Sequence, residues 1–247
     1  MRFILIYFLF HIILCNQITI DLITTNDIHG VIQDQKAYFM NPQYPPNIIG
    51  LSGFYNYINE LKVDSKQNDD DILVLDAGNF FQGSNLGMHD QGLTMIEWMN
   101  FVNYDALVPG QYDFIFGTEN LNNILNQAKF DILGSNVNCN DCLTKIKPYI
   151  IKEIKGIKIG ILGVVNSAVS ELVPQSRLNE LIFDFEVSTI KKWVPEIKKN
   201  GADVIIVLTS SGIPWDRDEV YEDFVKKPDE KQSLNAIQMG YYINDVD

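Results

Sequence analysis

The feature that most constrains this chain is a repeated switch of period. Short β-branched and aliphatic runs recur, each closed by a small-residue turn. Between them lie stretches whose apolar residues return at helical spacing. ITIDLITT (residues 18–25) reads as a strand, and LSGFYNYINELKVD (51–64) as a helix with Phe54, Tyr57, Ile58 and Leu61 on one face. DDILVLDAG is a buried strand, GLTMIEWMNFV a helix and YDALVPG a short strand. TENLNNILNQAK is a helix with Thr118 as its cap, and FDILGSNV is a strand. YIIKEIKGIKIGILGVV reads as a hairpin around Lys155–Gly156. VSTIKKWVPEIKK is a helix that Pro195 should kink or break, and ADVIIVLTSSG is a last buried strand. Such alternation predicts an α/β fold whose sheet layers are covered by helices. The polar tail after Trp215 reads as loosely structured.

The first residues, MRFILIYFLFHIILCNQ, carry Arg2 and then an almost wholly apolar run from Phe3 to Cys15, interrupted only by His11. A bilayer span needs roughly 20 such residues. Ile13 and Cys15 suit the −3 and −1 positions of a signal peptidase site, so residues 1–15 read as a cleaved secretory signal and 16–247 as the mature, secreted domain. No second run of spanning length follows. The net charge of −13 argues against nucleic acid or an anionic membrane surface as a partner. The mature chain keeps two cysteines, Cys139 and Cys142. Their spacing suits a short-loop disulfide in an oxidising compartment, and also zinc or redox chemistry, although zinc would need a second ligand pair that is missing here.

In α/β folds ligands gather just past the carboxyl ends of the strands. Four such ends carry suggestive residues: TTNDIHG, LDAGNFFQGS, LVPGQYDF and VLTSSG. Asp27 and His29, two apart, offer a carboxylate and an imidazole, a pair suited to zinc, manganese or iron.

ITIDLITTNDIHG, ILVLDAGNFFQGS and YDALVPGQYDFIFG, in that order, resemble the calcineurin-like metallophosphoesterases, and more closely the catalytic N-terminal domain of secreted 5′-nucleotidases and apyrases. GLTMIEWMNFVNYDALVPG, ILGSNVN, IKIGILGVV and ADVIIVLTSSGIPWDRD fit the same family, so the resemblance runs from about Ile18 to Asp218. It implies a four-layer α/β/β/α sandwich holding two divalent metals bridged by a carboxylate and a water-derived hydroxide. It also implies a nucleotide or phosphomonoester substrate and a His–Asp pair that assists the leaving group.

Asp27 and His29 match the first motif of that family, D-x-H. The second normally ends G-D, its Asp bridging both metals; here it is Gly78–Asn79, and a neutral amide does not offset the repulsion between two close dications. The third is normally G-N-H-E-F-D. Here Gln111 takes the place of the metal-binding Asn, Tyr112 that of the catalytic His and Ile115 that of its Asp partner. The fourth normally carries T-H, and here it is Thr209–Ser210. The chain stops at YYINDVD, about where the strand leading to the last motif, G-H-x-H, should begin, so the sandwich is expected to be incomplete at its C-terminus. The mature chain holds two histidines, His29 and His89, and His89 reads as an exposed loop residue. Asp27, His29 and, more weakly, Asn79 and Gln111 are therefore the candidate metal ligands for one ion or none. The expected function is a 5′-nucleotidase-like domain with impaired catalysis. The alternatives are a phosphomonoesterase using one weakly held metal, a non-enzymatic extracellular binding module, or a fragment of a longer protein.

Overall fold

The computed structural model describes residues 18–64, 72–140, 142–213 and 231–247. The proposed signal segment and Trp215 lie outside them. In chain order the elements are β1 (Asp21–Thr25), β2 (Gln35–Lys36), β3 (Asn47–Ile48), α1 (Leu51–Asp64), β4 (Ile72–Asp76), α2 (Asn85–His89), α3 (Leu93–Val102) and β5 (Ala106–Leu107). After a 3-10 turn (Gln111–Phe114) come α4 (Thr118–Leu125), β6 (Asp131–Leu133), β7 (Val137–Asn138), β8 (Ile146–Lys147), β9 (Tyr149–Ile154) and β10 (Ile157–Val164). The remainder is α5 (Val169–Leu172), α6 (Gln175–Leu178), β11 (Ile182–Phe183), α7 (Glu186–Lys199), β12 (Val204–Thr209) and a last helix, α8 (Ala236–Tyr242).

Two sheets dominate. The first is parallel, in the order β1-β4-β5-β6-β8; the second runs β12-β10-β9. β10 pairs parallel with β12 and antiparallel with β9 through the Lys155–Gly156 turn, whose φ values of 52° and 83° give the twist a tight hairpin needs. Alternation along β10 joins the layers. Ile159 and Ile161 enter the core shared with the first sheet, while Leu162 and Val164 face α7. Gly163 lets the sheets meet, because a Cβ there would stand 2.1 Å from that of Leu133. Met95, Ile96 and Met99 of α3 and Leu121 and Leu125 of α4 pack in the first-sheet core, so the architecture is α/β/β/α. Each fully buried large side chain contributes roughly 2 kcal/mol by leaving water.

Four local expectations are corrected. α1 buries Leu51 and Ile58 with Phe54 and Tyr55 beside them, whereas Tyr57 is half-exposed; the apolar stripe starts one turn earlier than expected. Gly117, at φ 92°, caps α4, and the Thr118 hydroxyl instead donates to the carbonyls of Arg177 and Leu178. α7 is not broken at Pro195, which sits on its exposed face. Finally, part of the expected loose tail is folded. Asn235 caps α8, and Leu234 and Met239 are buried against α7. Beyond α8 the Asp247 N–H donates to the Ile205 carbonyl on β12.

Candidate functional site

The carboxyl ends of β1, β4 and β5 lie side by side, and their loops are stitched together by backbone. The N–H groups of Asp27, His29 and Gly30 donate to the carbonyls of Gly78, Asn79 and Phe80, each at 2.9 Å. Such pairing between two turns requires left-handed backbone: φ is 52° at Asp27, 50° at His29, 92° at Gly78 and 57° at Asn79. Asn and Asp tolerate that region best after Gly, and His is also enriched there. The third loop presses against the second so closely that a Cβ on Gly110 would stand 2.2 Å from Asn79 Oδ1.

Asp113 holds this junction from beneath. Fully buried, its Oδ2 accepts N–H donations from Gly110 (2.7 Å) and Asn79 (2.8 Å), and its Oδ1 accepts one from Phe80 (3.0 Å). Burial pushes its carboxyl up to about 7 against the pull of these N–H groups. Asp76, also fully buried, accepts from the Thr25 hydroxyl (2.6 Å) and the Gly78 N–H (2.8 Å). Burial, with smaller contributions from the charges of Asp113 and Asp27, raises it to about 8 despite those two bonds. Neither carboxylate stood out in the sequence as more than part of a motif.

Above them sit the expected site residues. Asp27, His29, Asn79 and Tyr112 come together. Asn79 Nδ2 donates to Asp27 Oδ1 at 2.7 Å, while Asn79 Oδ1 accepts the Tyr112 N–H at 3.0 Å. That N–H can only donate, so the atom facing it must be the amide oxygen. His29 Nδ1 lies 2.5 Å from the Gln82 carbonyl and therefore carries the proton. Nε2, on the other side of the ring, stands 3.7 Å from Asp27 Oδ1. The Tyr112 ring lies 5.9 Å from the imidazole. Gln111 is half-buried at the start of the 3-10 turn, and Ile115 follows that turn. Ser210 lies at the end of β12, where its hydroxyl accepts the Asn166 N–H at 3.0 Å. His89 is exposed at the end of α2. Cys139 and Cys142 are joined by a disulfide.

Residues 21–236 match the calcineurin-like phosphoesterase family. The chain belongs to that family. It is 26% identical over 202 residues to a rat 5′-nucleotidase, covering 78% of this chain and 34% of that protein. It is 25% identical over 226 residues to a 2′,3′-cyclic-nucleotide 2′-phosphodiesterase/3′-nucleotidase of Haemophilus influenzae, covering 84% and 33% respectively. The chain thus spans about a third of the length of these relatives. The fold is shared with a 5′-nucleotidase precursor of Thermus thermophilus (TM-score 0.69, 23% identity, 77% of this chain and 36% of that one). It is also shared with the calcineurin-like phosphoesterase YfkN of Bacillus subtilis (TM-score 0.72, 22% identity, 94% and 71%).

Calcineurin-like phosphoesterases generally use divalent metals. The donors here do not fit a two-metal centre. Among the described residues no group of three or more His, Cys, Asp or Glu is placed to hold a metal ion. Asn79, where the resemblance leads one to expect a bridging carboxylate, has its amide bonded to Asp27 and to the Tyr112 N–H. No helix among the described residues is long and apolar enough to cross a membrane.

Proposed function

We propose that this chain is a secreted 5′-nucleotidase-like domain whose family activity, hydrolysis of nucleotide phosphate esters, is impaired or lost, with residues 1–15 serving as its signal and 16–247 as the mature domain. The observation that carries this reading is the Asn79 amide clamped between Asp27 Oδ1 and the Tyr112 N–H. A two-metal hydrolase needs an anion there to hold two dications together and to lower the pKa of the attacking water. A neutral amide that already donates to Asp27 supplies no such charge. The test is calorimetric titration of the mature chain with manganese and zinc beside an Asp27→Ala control, followed by assays with AMP and p-nitrophenyl phosphate. The expected result is no Asp27-dependent binding of two ions and no turnover above buffer. Vigorous metal-dependent hydrolysis would falsify the proposal.

One observation favours a second reading, a phosphomonoesterase using a single weakly held ion. His29 Nε2 and Asp27 Oδ1 are 3.7 Å apart, close enough to share one cation. That reading predicts binding of one ion, lost in Asp27→Ala, with slow turnover lost in parallel. If neither ion nor turnover appears while nucleotide or protein partners still bind, the domain is an extracellular binding module.

A further inference from the structure

Beside the Asp27–His29 pair lies a cavity of about 660 Å³, walled on one side by the ends of β1, α1 and α3 and on the other by the β2–β3 hairpin. The hairpin is tied down by the Ala37 N–H to the Pro46 carbonyl, and its ends by the Gly50 N–H to Asp34 and the Leu51 N–H to the Ile32 carbonyl. The floor and walls are aromatic and aliphatic, with Phe54, Trp98, Ile48 and Ile49 among them. Phe39 stands in the lining at 71% exposure, a large ring with little covering it. Apart from Gln35 on the hairpin, the polar lining residues belong to the strand end, from Thr24 to His29. There the single carboxylate of the lining is Asp27, and none of the lining residues is a lysine or arginine. Asp27 accepts from the amides of Asn26 and Asn79, and no lysine or arginine among the described residues pairs with it.

We propose that this cavity binds a small flat aromatic amine, its ring held among Phe39, Phe54 and Trp98 and its ammonium group against Asp27. Aromatic faces attract both another ring and a cation. A concave apolar pocket with a few convergent polar groups is the usual shape of a small-molecule site. An anionic ligand would meet the Asp27 carboxylate with no lysine or arginine in the lining to offset it. The proposal rests on the reading that Asp27 is not committed to a tightly held metal.

An isosteric series separates shape from charge: 2-phenylethylamine, 2-phenylethanol and phenylacetate, titrated against the mature chain in EDTA and followed by tryptophan emission. Saturable binding of the amine is expected, about fivefold tighter than the alcohol, as for one partly exposed ion pair, with phenylacetate weakest. Trp98→Phe should remove the emission change. Asp27→Asn keeps a residue that tolerates left-handed backbone and an oxygen for the Asn79 amide. It should erase the difference between amine and alcohol while leaving the alcohol bound. Phe39→Ala should weaken both. No saturable binding of any probe, or binding of phenylacetate as tight as the amine, would overturn the proposal. Manganese titration of the same samples tests the metal-poor reading separately. Manganese uptake lost in Asp27→Asn would sink that reading, whereas the EDTA series decides the cavity by itself.

Discussion

The two sheets end in polar junctions that differ in kind. Where β1, β4 and β5 end, Asp113 gathers three backbone N–H groups, and both ends of the Asn79 amide are bonded. Past the ends of β10 and β12 the junction is built from Asn166, Ser210, Ser233 and Glu186. Glu186 Oε1 accepts from the Ser167 N–H (2.7 Å) and the Ser233 hydroxyl (3.2 Å), yet among the described residues Glu186 Oε2 and the Ser167 hydroxyl have no partner. The first junction locks backbone and leaves Asp27 and His29 presented at its surface. The second fastens the segment leading into α8 and presents a serine where the resemblance leads one to expect a histidine. Polar groups at strand ends can therefore act as structural fastenings as well as ligands.

The contrast breaks most visibly at Asp113. Asp113→Ala leaves three N–H groups without their acceptor in a buried junction. Each orphaned donor costs about 1–3 kcal/mol, so a loss of at least about 3 kcal/mol, or failure to fold, is expected in urea titration. Glu186→Ala removes a carboxylate that is only half used, and about 1–2 kcal/mol is expected. Equal losses at the two sites would mean that the junctions are equivalent. Gly110→Ala should cost about 2–3 kcal/mol, because its Cβ would meet Asn79 at 2.2 Å and the loops would have to part.

A pH effect of comparable size belongs to the first junction. Asp76 is raised from 3.8 to about 8 by burial, so between those values the folded chain holds a proton that the unfolded chain has lost. Its contribution to stability is full below about pH 4 and is lost as pH rises towards 8, by linkage on the order of 4 kcal/mol between pH 5 and pH 8. Thermal unfolding of the parent chain should therefore shift down across that range, and Asp76→Asn should flatten the shift. An unchanged slope in the variant would assign the pH dependence to other carboxylates.

What could be read in advance divides along the same line. β-branched runs and the Lys155–Gly156 turn announce their strands and hairpin because each signal is local. The reach of α7 through Pro195 was not legible, since packing of Val187, Ile190, Val194 and Ile197 overrides the local penalty. Asp27 and His29 are two residues apart, and their pairing was visible. The role of Asp113 was not, because two of its three partners are 33 and 34 residues away in sequence and meet it only when the loops converge. Nor was the aromatic cavity, whose outer wall, residues 31–50, has no apolar period.

The smallest expected change in stability carries the most information about ancestry and chemistry. Asn79→Asp places a carboxylate beside Asp27 and removes the amide donor, so in EDTA the like charges should cost about 1 kcal/mol. The backbone should tolerate it, since aspartate accepts left-handed φ nearly as well as asparagine. With manganese present the sign should reverse. Two carboxylates and the His29 Nε2 lone pair would offer three donors where the parent offers two, and binding to the folded state alone raises its stability. A thermal shift that is downward in EDTA and upward in manganese would show that one atom type at position 79 separates the fastening from a metal site. If manganese does not raise the variant's melting temperature, position 79 alone does not decide metal binding here, and Gln111 and Ser210 become the next positions to exchange.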